Sequence, residues 1–134
     1  MIAYERLEVY QVSLDCVEQC LSAIDNLPPG YSELRQQLRK AIFTVSLNIS
    51  VSLNISVSVN IAEGAGKTAP NSKRNFYEIA KGSAMESAAI LDILHRIKLL
   101  KTTKHQEAKK LLHRCIAMLT QLCINLEIRC EGKR

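Results

Sequence analysis

The sequence predicts an all-α protein, an antiparallel four-helix bundle with an unusually long second helix, folded as one domain over residues 1–134. Three observations lead to this fold class. A chain of 134 residues is short for two separate hydrophobic cores. Apolar residues make up 47% of it, and most of them recur at helical spacing. Only five Gly and three Pro are present, which are too few for the many tight turns of an all-β fold.

The first helix is predicted over about residues 4–25. Its apolar side chains recur at steps of three and four residues, as one stripe of a helix requires. The stripe consists of Leu7, Tyr10, Leu14, Val17, Leu21 and Ile24. The segment Asn-Leu-Pro-Pro-Gly at residues 26–30 ends this helix, because proline cannot continue it.

Three further helices follow from the same periodicity and from the positions of Gly and Pro. The second is predicted from Ser32 to about residue 62, with Gly64 ending it in the left-handed conformation. A loop over residues 64–71 leads to the third helix, predicted over residues 72–100. The fourth is predicted over residues 103–129. Long amphipathic helices joined by short loops assemble as an antiparallel bundle.

A repeat interrupts the helical pattern of the second segment. Residues 45–50 and 51–56 both read VSLNIS, and residues 57–62 read VSVNIA. Apolar residues alternate with Ser or Asn throughout, which is the pattern of a strand. A single strand of this length has no evident partner in the chain, whereas a helix satisfies its own backbone. We therefore predict that residues 45–62 are predominantly helical, with a strand as the alternative.

Charge is segregated along the chain. Residues 1–33 contain one basic and six acidic side chains, a net charge of −5, whereas residues 34–134 carry +10. A basic run in the last third supplies the candidate contacts to RNA or DNA phosphates: Lys98, Lys101, Lys104, Lys109, Lys110 and Arg114. The alternative is a structural or protein-interaction bundle whose basic residues only keep it soluble.

The motifs of catalysis and of metal binding are missing from the sequence. The five cysteines contain no C-x-x-C pair, and we expect them to be reduced core residues. His95, His105 and His113 are dispersed, and the last two are assigned to a solvated basic face. Residues 64–68, GAGKT, lack the first glycine of a phosphate-binding loop. We expect no enzymatic activity, no metal and no cofactor.

Two acidic side chains follow small or apolar residues and are therefore candidate buried acids. These are Glu63 and Glu86. With Arg39 and Asn60 they would form a structural polar cluster that fixes helix register.

The sequence also bears on location. No uninterrupted apolar run is long enough to span a bilayer, and residues 1–6 lack the layout of a signal peptide. We expect a cytoplasmic protein without a membrane partner.

Four further segments of the chain form a recognisable set: residues 4–11 (YERLEVYQ), 38–41 (LRKA), 59–64 (VNIAEG) and 82–86 (GSAME). Together they resemble the 23S rRNA intervening-sequence proteins. The resemblance implies an up-down four-helix bundle, a ring-like homopentamer and no known catalysis. Through the related accessory variability determinant proteins of diversity-generating retroelements, it also implies nucleic acid and a nucleic-acid enzyme as partners.

The hexad repeat departs from that family pattern. The resembling proteins run from the LRKA stretch into a single NIAEG, so about twelve residues look inserted here. Twelve residues would rotate the end of a helix by about 120° and displace it by about 18 Å. The bundle must loop this stretch out, extend the helix or use the stretch as a new interface.

Overall fold

The computed structural model describes residues 5, 7–25, 27–30, 32–33, 43–45 and 50–131. Within these residues, the helices are α1 (Glu8–Asp25), α2 (Leu53–Ala65), α3 (Pro70–Arg96) and α4 (Thr102–Glu131). Two short strands, β1 (Phe43–Val45) and β2 (Ser50–Ser52), pair as an antiparallel hairpin before α2.

The four helices form the predicted bundle. α1 packs on α2 and α4, and α3 packs on the same two helices. The Ser13 hydroxyl of α1 lies 2.7 Å from the Ser58 hydroxyl of α2, and both residues are buried. Ser13 also donates to the backbone carbonyl of Tyr10, so the buried pair is satisfied. The all-α fold class is therefore confirmed.

The prediction of an unusually long second helix is wrong. Val45 lies in β1 and residues 50–52 form β2, so α2 begins only at Leu53. The helical prediction holds for residues 53–62. It fails before them because the alternating sequence favours extended backbone. β1 supplies the strand partner that the sequence argument had taken to be missing.

The predicted start of the second helix is only partly described. Ser32 and Glu33 are helical, as expected. Residues 34–42, which include the LRKA stretch, and residues 46–49 lie outside the described residues.

α1 turns a different face to the core from the one that its aliphatic residues predicted. The predicted stripe is only partly buried, and Leu14 is 41% exposed. The residues that are fully buried form a stripe rotated by about 120°. They are Val9, Val12, Ser13, Cys16, Cys20 and Ala23. Because both stripes are apolar or small, periodicity alone did not separate them.

Buried thiols occupy the contact between α1 and α4. Cys16 and Cys115 share a hydrogen bond, and each is at most 1% exposed. That hydrogen bond, together with burial, raises the pKa of Cys16 far above its ordinary value. Cys123 is also buried, which with a hydrogen bond to Glu78 raises its pKa to about 11. The expectation that the cysteines are core residues is confirmed for Cys16, Cys20, Cys115 and Cys123.

The sequence predicts that Gly64 ends a helix in the left-handed conformation, and this prediction is wrong. It lies inside α2, and its backbone is not in the left-handed region. A Cβ at this position would lie 2.7 Å from Cε1 of Tyr77 and 3.2 Å from the Lys73 carbonyl oxygen. Tyr77 is 2% exposed and belongs to the core. Glycine is therefore required by the close approach of α3.

Among the described residues, one helix passes a test of length and hydropathy for membrane spans, the stretch Thr102–Ile128 of α4, and 28% of its most apolar window is buried. Core helices of bundles pass the same test. Here Leu112, Cys115 and Leu119 are fully buried in the bundle, and Lys110 is exposed on the outer side.

Candidate nucleic-acid interface

The turn between α3 and α4 presents lysines at one end of the bundle. Lys98, Lys101 and Lys104 are all exposed there. α3 is about 40 Å long, so this end lies far from the loop that joins α2 to α3.

Lys98 holds a backbone conformation that lysine rarely adopts. Its φ is +65°, in the left-handed region where glycine is usual. The Leu99 amide donates to the Leu94 carbonyl, and the Lys98 amide donates to the His95 carbonyl. This pair of bonds is a Schellman motif, which satisfies the last carbonyls of α3. α3 thus ends at Arg96 rather than at the predicted residue 100.

Two of the six predicted phosphate contacts are already paired. Lys109 donates to both carboxylate oxygens of Asp92, at 2.9 and 3.1 Å. Arg114 forms an ion pair with Glu8 of α1. Lys98, Lys101, Lys104 and Lys110 have no ion pair among the described residues. These four lysines are the more available cations of the predicted set.

Two histidines that the sequence had treated as dispersed stack on one another. The rings of His95 and His105 are parallel within 3°, with their centroids 4.3 Å apart. His105 Nε2 donates to Asp92 at 2.8 Å, and His95 Nε2 lies 3.3 Å from the Thr102 hydroxyl. The His105 side chain is only 17% exposed, so it is largely covered rather than solvated, and this corrects that interpretation.

Asp92 is the centre of this polar group. The sequence pattern alone does not indicate that the group exists. Hydrogen bonds from His105 and Lys109 hold the pKa of its carboxyl below the ordinary value. The only available signal was positional, since His95 and His105 lie on either side of the turn. Once that turn is known to be tight, the two side chains come together.

A cavity of about 380 Å³ opens beside the turn. It is lined by Pro28, which follows α1, and by residues of the α3–α4 turn. The lining residues are Pro28, His95, Lys98, Leu99, Leu100, Lys101 and Thr102. We call it the turn cavity.

Three of the four members of the predicted structural polar cluster lie among the described residues. Glu63 and Glu86 are both exposed, which corrects their assignment as buried acids. Glu63 adjoins Gly64, whose contact on α3 is Tyr77, and Glu86 lies about 13 Å further along α3. Asn60 is half-buried on α2, and Arg39 lies outside the described residues.

A second cavity, of about 470 Å³, lies between α1 and α2. Tyr10, Ser58 and Glu63 contribute polar atoms to its lining. Among the described residues, no group of three or more His, Cys, Asp or Glu side chains is arranged to hold a metal ion.

The family model described as 23S rRNA-intervening sequence protein matches residues 5–121. No curated protein matches the chain.

Proposed function

The chain belongs to the 23S rRNA-intervening sequence protein family, and on this premise we propose that it is a non-enzymatic, oligomeric accessory module that binds RNA or DNA. The contact surface is the lysine-rich turn, formed by Lys98, Lys101 and Lys104 and extended by Lys110 on α4. The observation that carries the proposal is that these four exposed lysines have no ion pair within the described part of the chain.

The backbone of Lys98 supports this surface. A lysine in the left-handed backbone conformation lowers the stability of the fold by about 1–2 kcal/mol relative to a glycine in the same conformation. Residues held in such conformations concentrate at functional sites. Here the conformation places a cation at the exposed end of the bundle, where glycine would form the same turn at lower cost.

Titration of a labelled 20-nucleotide single-stranded RNA and of a DNA duplex, each at 50 and 200 mM salt, tests the proposal. We expect binding that weakens steeply with salt, because phosphate contacts release counterions. Lys98→Ala and Lys101→Ala should each lower the magnitude of the salt slope by about 0.7–0.9.

Lys67→Ala is the control, since Lys67 is also exposed, in the loop at the opposite end of the bundle, where its Nζ lies 5.3 Å from the centroid of the Phe76 ring. An effect of Lys67→Ala equal to that of Lys98→Ala would show a diffuse attraction rather than a site. Absence of binding at 50 mM salt would leave the alternative, a structural bundle without a nucleic-acid role.

We also propose that the protein assembles with copies of itself, as a pentamer by analogy with the resembling proteins. The outer side of α3 supports this, because it exposes the large apolar side chains of Ile79, Met85 and Ile93, and Ile97 is exposed directly after the helix. Gly82 lies among them with open space where a Cβ would be, so nothing within the described chain requires a glycine there. A glycine inside an exposed helix costs about 1 kcal/mol relative to alanine.

Light scattering at micromolar concentration measures the assembly. We expect a mass about five times the 15.0 kDa chain. Ile93→Glu should lower that mass, whereas Gln106→Glu on the outer side of α4 should not. A wild-type mass near 15.0 kDa would refute self-association.

A further inference from the structure

We propose that the turn cavity binds one nucleotide of a single-stranded nucleic acid. The nucleobase lies against His95 and Pro28, and the adjoining phosphate lies between Lys98 and Lys101. This inference rests on the proposed function and specifies its substrate class: an unpaired strand with an accessible base, rather than a duplex read through its phosphates alone.

The volume of the cavity suits a small ligand. Its volume of about 380 Å³ falls at the lower end of the range of small-molecule sites, about 300–1,000 Å³. A duplex cannot offer a base to such a cavity, because its bases are paired and stacked. An unpaired strand can turn a base out of its path.

The walls provide the apolar contact that a base requires. Pro28, Leu99 and Leu100 line the cavity, and Leu100 is only 7% exposed. The Leu99 amide is fixed by its bond to Leu94, so this side of the cavity belongs to the ordered turn. Aliphatic and proline side chains pack against either face of a nucleobase, without selecting one base over another.

His95 provides an aromatic ring, and the stacked ring of His105 fixes its orientation. One face of its ring is covered by His105, 4.3 Å away, and His105 is in turn held by Asp92. His95 therefore meets the cavity with its other face or with its edge. Stacking of bases on aromatic side chains is the usual mode of sequence-tolerant binding to single strands.

Two cations line the same cavity as the apolar residues. Lys98 and Lys101 both line the cavity and are both exposed. Thr102, the first residue of α4, also lines the cavity, so the positive end of the α4 dipole lies beside it. A base in the cavity thus places its phosphate in a positive field.

The test compares three ligands of equal length by fluorescence anisotropy: a labelled oligodeoxyadenylate decamer, a decamer of abasic residues with the same phosphates, and a ten-base-pair duplex. We expect the wild-type protein to bind the oligodeoxyadenylate at least 5-fold more tightly than the abasic strand. His95→Ala should weaken oligodeoxyadenylate binding about 5- to 100-fold and leave the other two ligands unchanged.

Two variants separate stacking from a structural role of the histidine. His95→Phe keeps an aromatic ring and should bind within about 3-fold of wild type. His113→Ala removes an exposed histidine of α4 that does not line the cavity, and should change nothing. If His95→Ala fails to fold, the wild-type preference for the oligodeoxyadenylate over the abasic strand and the behaviour of His95→Phe decide the question.

Failure of this inference and failure of the proposed function give different results. Equal wild-type affinity for the oligodeoxyadenylate and the abasic strand, or an undiminished His95→Ala, overturns the base site and leaves phosphate binding in place. Absence of binding to all three ligands overturns the proposed function itself. Competition by free adenosine monophosphate as effective as the decamer would show a mononucleotide site, and would overturn the assignment to a strand.

Discussion

Lys98 illustrates at the scale of one residue what the sequence could not disclose. Ile97, Leu99 and Leu100 continue an apolar pattern, so periodicity extends the third helix to residue 100. The helix ends earlier because Lys98 adopts a positive φ, a conformation for which lysine carries no sequence signal. Only the hydrogen bonds of the Schellman motif reveal it.

Replacing Lys98 with glycine should stabilise the fold while weakening nucleic-acid binding. Glycine adopts the left-handed conformation without the Cβ clash, so we expect the free energy of unfolding to rise by about 1 kcal/mol. Urea denaturation measures this. Lys104→Gly is the control, because Lys104 lies inside α4 and should lose about 1 kcal/mol. Equal losses in both variants would contradict a strained Lys98.

Gly64 should tolerate no side chain. An added Cβ would meet the ring of Tyr77 at 2.7 Å, and that ring is enclosed by the core. We expect Gly64→Ala to lower the free energy of unfolding by about 1–3 kcal/mol, the usual cost of overpacking. The same change in a Tyr77→Leu background should cost clearly less. Similar losses in both backgrounds would show that the ring is not the obstacle.

At the scale of elements, the hexad repeat shows one sequence in two conformations. Val51 and Ser52 lie in β2, whereas Val57 and Ser58 lie in α2. Val57 and Ile61 are buried in the bundle, and Ser58 bonds to Ser13 of α1. Packing thus fixes the helix where α1 and α3 can cover it. Outside that cover the local preference for extended structure decides, which is why a prediction of one long helix failed.

The contact between α3 and α4 should respond to acid through Asp92. Its pKa is lowered by His105 and Lys109, so its contribution to stability is present above the ordinary carboxyl pKa and is lost as pH falls through the lowered value. The side chain is 52% exposed, so we expect Asp92→Asn to cost at most about 1 kcal/mol at pH 7.

Urea midpoints of wild type and Asp92→Asn between pH 6 and pH 2.5 check this. The difference between the two proteins should shrink as Asp92 is protonated in the wild type. Glu107→Gln, which changes an exposed carboxylate of α4 without an ion pair among the described residues, should show no such convergence. A difference that stays constant down to pH 2.5 would exclude the Asp92 carboxylate as its source.

At the scale of the whole molecule, the bundle could be predicted and the site could not. Amphipathic periodicity and the shortage of turn residues were sufficient for four helices in antiparallel order. The site depends on how helix ends meet: His95 and His105 stack only because the turn reverses the chain within five residues, from Ile97 to Lys101. Charge patterning predicts the basic run, but it does not predict which of its lysines form ion pairs with acidic residues of the same chain.

The rate at which the buried thiols of Cys16 and Cys115 are alkylated should measure how often the bundle unfolds. Only the thiolate attacks iodoacetamide, displacing iodide. Cys16 and Cys115 are both shielded from solvent, and their thiols are hydrogen-bonded to each other. We expect their alkylation at pH 8, followed by mass spectrometry of each peptide, to proceed only through molecules that have unfolded. The rates should then rise with urea in parallel with the global transition. Native-buffer modification of Cys16 as fast as that of a free peptide thiol would mean that α1 separates from α4 without unfolding of the rest.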